Sequence, residues 1–180
     1  MYIKPNGMQA IVNYSELFCK KRDNEFIEIN TKLSKNGMVL EFVPYNERTL
    51  ERCLIALKSN INSIKFIPKK YQTEDMLTKV LLENGLLLTH IPLEDRTPEF
   101  CKMALSNNTY ALKYVPRTPS DTFIELAKYS VSLDGLSIRY LESKWKTYDI
   151  CKIAYENNKE SVVYFSKAVV LNLKSNGVIY

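Results

Sequence analysis

Apolar residues along this chain alternate between two arrangements. In TPEFCKMALSNN, residues 97–108, Phe100, Cys101, Ala104 and Leu105 fall at i, i+1, i+4 and i+5, one face of an α-helix. Directly afterwards, in NTYALKYVP, Ala111, Leu112, Tyr114 and Val115 are apolar with Lys113 between them. That spacing suits one or two helical turns, closed by Pro116 because the residue before a proline is disfavoured in the α region. A short strand also fits, since Leu112-x-Tyr114 matches a period of two. The pattern therefore predicts a long helix followed by a short one.

This phrase recurs. Pro44, Pro68, Pro92 and Pro116 lie 24 residues apart, closing LEFVP, IKFIP, LTHIP and LKYVP. The phrase then degrades to IRYLE, ending at Glu142, and VVYFS, ending at Ser166. Thr49, Thr73, Thr97, Thr122 and Thr147 keep the same beat, and Cys53, Leu77, Cys101, Leu126 and Cys151 each follow four positions later. A threonine before an apolar-periodic run is a helix N-cap. Acidic residues in the following turn, such as Glu51, Glu74, Glu99 and Asp149, complement the helix dipole. Pro98 sits where a helix tolerates its missing N–H. Asn36, Asn60, Asn84 and Asn108, with Asp134 in the same phase and Gly37, Gly85 and Gly135 beside three of them, are expected to stop each long helix in a left-handed conformation.

A unit this short cannot bury its own apolar face, so neighbours must cover it. The expected fold is all-α: an α-solenoid of about five to six 24–25-residue long-helix/short-helix repeats with capping helices at both ends. It reads as a single domain over 1–180, with an N-terminal cap over 1–24, repeats over 25–165 and a C-terminal cap over 166–180. Within the cap regions, residues 8–22 and 167–176 are predicted helices. Phase puts Cys53, Cys101, Cys151, Ile67, Ile91, Leu112 and Val115 in the core.

Composition changes this picture little. The chain has 180 residues, 46% hydrophobic and 25% charged, with 25 Lys and Arg against 20 Asp and Glu, a formal +5. An acidic partner is permitted, not demanded. No apolar run approaches the ~18 residues of a membrane span, and the first residues lack the charged-then-apolar layout of a secretory signal. The four cysteines form no C-x-x-C pair, so a zinc site is not expected. Together these features point to a reducing, cytoplasmic setting.

Catalytic chemistry finds little support. The single histidine, His90, occupies a slot held elsewhere by Phe42, Phe66, Tyr114, Tyr140 and Tyr164, read as an aromatic packing position. There is no phosphate loop, no dinucleotide fingerprint, no H-E-x-x-H and no nucleophile elbow. The expectation is a non-enzymatic protein without cofactor or metal.

The pattern Thr-x-x-x-Cys-x-x-Ala-x-x-x-Asn, then Leu-x-Tyr/Phe-Val-Pro, resembles a short helical repeat family of unknown function. It is clearest over Thr49–Pro68 and Thr97–Pro116. That family occurs in intracellular bacterial pathogens, protists and large DNA viruses including bacteriophages, with a usual unit about two of these modules long. The resemblance implies a helical scaffold in a phage or pathogen protein that binds and inhibits a host protein, acting in the host cytoplasm. It supplies no catalytic residue.

Two polar slots are the candidate working surface. One, inside the short element, holds Glu41, Lys65, Thr89, Lys113, Arg139 and Val163; the other, just before the threonine, holds Arg48, Gln72, Arg96, Asp121 and Lys146. Stacking would align each into a partly basic ladder. Most aromatics fall in core phase rather than beside these slots, so nucleic acid is the alternative partner, not the favoured one. The period is loosest between Pro116 and Lys146, which also holds the only tryptophan, Trp145. Interface hot spots favour Trp and Arg. The expected partner-binding residues are therefore Trp145, Lys146, Arg117 and Arg139, with Lys113 and Lys65 from the ladders. The basic run Lys20, Lys21 and Arg22 is a second candidate.

Overall fold

The computed structural model describes residues 26–179. All regular structure among them is helical, with no strand. The expected N-terminal helix, Cys19 and the Lys20–Arg22 run lie outside the described residues. The chain separates into two compact units between Tyr71 and Gln72.

The first unit contains α1 (residues 26–35) and α2 (Leu50–Ser59). Between and after them come six-residue 3₁₀ helices, Gly37–Phe42 and Ile61–Phe66, each followed by a single 3₁₀ turn. The second unit contains α3 (Glu74–Glu83), α4 (Pro98–Asn107), α5 (Ser120–Leu133), α6 (Tyr148–Asn157) and α7 (Lys167–Ser175). Its short 3₁₀ helices are Gly85–His90, Thr109–Tyr114, Gly135–Tyr140 and Lys159–Tyr164. In this unit each α-helix packs against the next, and each short helix against the next short helix.

The apolar spacing explains why the short element is 3₁₀. Leu88 and Ile91, Leu112 and Val115, and Ile138 and Leu141 are all buried, and each pair is three residues apart. A 3₁₀ helix has three residues per turn, so such a pair is eclipsed on one side. An aliphatic side chain fully removed from water contributes about 1.5–3 kcal/mol. The seven residues assigned to the core by phase are all buried.

Three threonines cap as expected. The hydroxyls of Thr49, Thr73 and Thr97 accept from the N–H groups of Arg52, Met76 and Phe100. Thr147 stands at the cap position without a side-chain bond. Thr122 differs: α5 begins at Ser120 behind Pro119, so Thr122 lies inside its first turn.

The asparagines correct the sequence reading. Asn60, Asn84, Asn108, Asp134 and Asn158 have φ between −155° and −146°, extended rather than left-handed. Each ends one α-helix and starts the next 3₁₀ helix, and its side chain accepts the N–H two residues on, as in Asn108 Oδ1 and Tyr110 N at 2.9 Å. A helix that restarts at once uses asparagine as an N-cap.

The glycines beside them are needed for space. A Cβ on Gly85 would overlap the carbonyl of Ala104, one on Gly135 that of Ala154, and one on Gly37 that of Ala56. Gly85 N donates to Asn107 Oδ1 at 2.8 Å and Gly135 N to Asn157 Oδ1 at 2.7 Å; in the first unit Gly37 N donates to Ser59 Oγ at 3.1 Å. Asn107 and Asn157 return their amide N–H to Leu82 O and Ser132 O at the preceding helix ends. Intervening modules carry Ile61, Thr109 and Lys159 in the glycine position. The physical period is therefore two modules.

Replacing Gly85 with Ala should cost several kcal/mol, because a backbone carbonyl must move to admit the methyl group. Thr109→Ala, in the same phase, should cost less than ~1 kcal/mol. Equal thermal denaturation midpoints for the two variants would refute the close-approach argument.

Candidate functional site

The three basic residues of the slot before the threonine turn inward, whereas Asp121 is exposed. Arg96 donates from Nε to Ile91 O at 2.8 Å, from Nη1 to Tyr114 O at 2.6 Å and from Nη2 to Thr89 O at 3.2 Å. Arg48 repeats this with Val43 O, Phe66 O and Glu41 O. Lys146 Nζ reaches Tyr164 O at 3.0 Å. These carbonyls lie at the ends of short helices, where no intrahelical N–H is left to reach them. The row read as a basic ridge is thus a set of clamps, and Lys146 spends its charge on the frame. Burial lowers the pKa of Arg96 from its ordinary value; the guanidinium stays charged because that value starts so high.

The slot inside the short helix turns outward. In Thr109–Tyr114 the buried residues Ala111 and Leu112 leave Tyr110 and Lys113 at the surface. Lys113 Nζ donates to Tyr110 Oη at 2.7 Å. It sits 4.0 Å from the Tyr110 ring centroid and 4.9 Å from that of Tyr140 on the adjacent short helix. The two rings meet edge to face at 4.4 Å. Arg139 Cζ lies 4.8 Å from the Tyr140 ring. The hydrogen bond from Lys113 lowers the pKa of Tyr110, and the hydroxyls of Tyr140 and Tyr164 beside Arg139 raise its pKa further.

Two cations thus converge on one tyrosine ring. Neither Lys113 nor Arg139 has a carboxylate within ion-pair distance among the described residues. Exposed cation–π contacts are worth about 0.5–1 kcal/mol each, enough to bias the long side chains toward the rings. This corrects the aromatic assignment. Phe42 is 81% exposed, His90 is exposed, and Phe66, Tyr114, Tyr140 and Tyr164 are only half-buried. In each unit the slot read as core packing is at least partly exposed.

The remaining sequence candidates are dispersed. Arg117 Cζ stacks 4.3 Å from the ring of the fully buried Phe123, whose edge meets Trp145 at 4.8 Å. Trp145 is half-buried, and its indole N–H is buried without an acceptor among the described residues. It packs against the core rather than standing out as an anchor. Lys65 is exposed over the ring of its neighbour Phe66 in the first unit. The structure brings Lys113 and Arg139 together, and separately Arg117 and Trp145. Tyr110 and Tyr140 belong to the first cluster and were missed. Their signal was a tyrosine one turn before Lys113 and another directly after Arg139.

No family model, curated protein or solved structure matches the chain. Function therefore rests on the site itself.

The thiols are poor nucleophiles. Cys53, Cys101 and Cys151 are free and fully buried. Burial pushes Cys101 and Cys151 up to about 11 and raises Cys53 as well. The reactive thiolate is accordingly scarce at neutral pH. Among the described residues, no group of three or more His, Cys, Asp or Glu side chains could hold a metal ion, and no helix is long and apolar enough to cross a membrane.

A raised thiol pKa has a defined effect on stability. Between the unfolded value near 9 and the folded value near 11, the unfolded chain has lost protons that the folded chain keeps. Stability from these groups is therefore fully present below pH ~9 and falls as pH rises through 11. A two-unit shift corresponds to roughly 2–3 kcal/mol per thiol. Cys101→Ala with Cys151→Ala should flatten this alkaline decline in urea titrations, and an unchanged slope would count against it.

Arg96→Met should lower stability by about 3 kcal/mol or more, since it leaves three carbonyls without their donor. Lys113→Met should change it by less than ~0.5 kcal/mol. Chemical denaturation of the two variants distinguishes clamp from surface cation.

Proposed function

We propose that this chain is a non-enzymatic protein-binding module built as an α-solenoid of paired long and short helices. Its partner is an acidic protein surface. The observation that carries this reading is the convergence of Lys113 and Arg139 on Tyr110 and Tyr140, ordered by cation–π contacts and unneutralised by any carboxylate of the described residues. Pre-ordered long side chains lose less entropy on binding, and tyrosine and arginine dominate the energetics of protein interfaces.

Recurrence of the helix pair supports the solenoid architecture, because each module lends the next a covering face. Charge distribution favours protein over nucleic acid. Residues 72–180 hold 13 basic and 13 acidic side chains, and the whole +5 excess lies in residues 1–71. The ridge is a local patch on a neutral unit rather than a phosphate-tracking field. The family resemblance adds that the partner belongs to a host and that binding inhibits it.

Purified protein and the variant Lys113→Ser/Arg139→Ser, each immobilised and exposed to host lysate, test this reading. Proteins retained by the parent should be lost from the variant, with unchanged circular dichroism and denaturation midpoint. Identical retention would remove the ridge. Binding of generic RNA or DNA that collapses between low and moderate salt would favour the nucleic-acid alternative instead.

A further inference from the structure

A concave site lies in the unit formed by residues 72–179, and it shares no residue with the tyrosine ridge. Its origin is an omitted turn. After Pro44, Pro68, Pro92 and Glu142 the chain makes a single 3₁₀ turn, over 45–47, 69–71, 93–95 and 143–145. After Pro116 it makes none. Arg117, Thr118 and Pro119 lead directly into α5, which begins at Ser120. A cavity of about 580 Å³ opens there, bounded by Leu93, Pro98, Pro116, Pro119 and Leu126.

Most of this wall is apolar. Leu93, 61% exposed, is one of the apolar residues at its mouth. Two guanidinium groups, Arg96 and Arg117, supply its positive charge, against the one carboxylate of Glu94. They are not equivalent. Arg96 is committed to three carbonyls. Arg117 donates from Nη1 to Leu112 O at 3.2 Å and lies at the ion-pair limit, 4.0 Å, from Glu142. The Glu142 contact is made by Nε, and Nη2 has no acceptor among the described residues. Stacking on Phe123 holds the guanidinium plane in place.

The cavity does not stop at Leu126. A groove of about 620 Å³ shares Pro98, Thr122 and Leu126 with it and runs on between α4 and α5 to Tyr129 and Ile153. Either volume would hold a small ligand. Because they share three lining residues, the two are contiguous and together offer room for an extended chain. The Arg117 end is cationic, while the groove carries Glu99 and Glu125 as well as Lys102 and Lys128, so charge selection is concentrated at the cavity.

We propose that this channel binds an extended peptide segment of a partner protein, seating an apolar side chain in the cavity and placing a neighbouring carboxylate on Arg117. The site goes beyond the ridge and does not depend on it. Arg117 was a sequence candidate as an exposed hot spot; here it acts as the selector at one end of a groove.

The test uses the full chain, isotopically labelled, titrated with the blocked peptide acetyl-GSFEGS-amide and followed by amide chemical shifts. Saturable shifts are expected at Thr118, Thr122 and Leu126. Replacing the peptide's Glu with Gln should weaken binding about tenfold. Arg117→Gln should cause a similar loss for the Glu peptide and none for the Gln peptide, the non-additivity of a direct contact. Leu126→Trp, which fills the cavity, should abolish binding of both. Lys113→Ser/Arg139→Ser should leave binding unchanged, so failure of the ridge and failure of the channel are separable. Equal affinity for the Glu and Gln peptides would overturn the proposal, as would shifts confined to Tyr110 and Tyr140. Binding of N-acetylphenylalaninate as tightly as the peptide would overturn it too, by making the cavity a small-carboxylate site. The peptide arms and Arg117→Gln decide the matter even if Leu126→Trp fails to fold.

Discussion

The fold depends on one close approach of backbone to backbone. At Gly85 the chain turns out of α3 so near to α4 that the Ala104 carbonyl occupies the space of a missing side chain. Asn107 spans the gap in both directions, accepting from Gly85 N and donating to Leu82 O. Two backbone groups at the end of one helix, which would otherwise need water, are satisfied by a side chain of the next. Gly135 and Asn157 repeat the arrangement. This contact sets how closely successive helices pack, and that separation places the eclipsed apolar pairs of the short helices in the core.

Position within the module then sorts the charges. A cation just before a long helix lies beside carbonyls that no N–H can reach, so Arg48, Arg96 and Lys146 are drawn inward. A cation within a short helix has the aliphatic core on one side and water on the other, so Lys113 and Arg139 extend outward and rest on tyrosine rings. Two residues of the same chemistry therefore serve different ends for purely geometric reasons.

Much of the helical frame was legible in the sequence, because capping and burial act on single positions that repeat. Thr49, Thr73 and Thr97 declared three helix starts, and Cys101 declared a core position by sharing a phase with Leu77 and Leu126. Thr122 marks the start of α5 to within two residues, but the helix begins at Ser120 behind Pro119, so this threonine is not its cap. Asn84 and Asn108 misled because an asparagine after a helix ordinarily ends it left-handed, whereas here another helix starts at once and claims the side chain. The candidate site was less legible. Phase shows that Arg96 and Lys113 recur, but not that one meets Tyr114 O and the other a ring. Those acceptors lie on neighbouring elements, and the period does not show how such elements meet.

The alternation of glycine and non-glycine starts limits how a chain of this kind can change length. Gly37, Gly85 and Gly135 each abut a helix that offers Ala with Ser or Asn, as Ala104 with Asn107. The intervening helix α5 has Ser130 and Leu133 in these positions and lacks the bridging Ser or Asn. Deleting or duplicating a single module would set a glycine start against the wrong kind of helix, leaving a void and an unsatisfied N–H at the junction. Removing or adding two modules restores the match at every junction. Viable descendants of such a chain should therefore differ in length by module pairs, and a designer extending it would copy the pair as the indivisible building block.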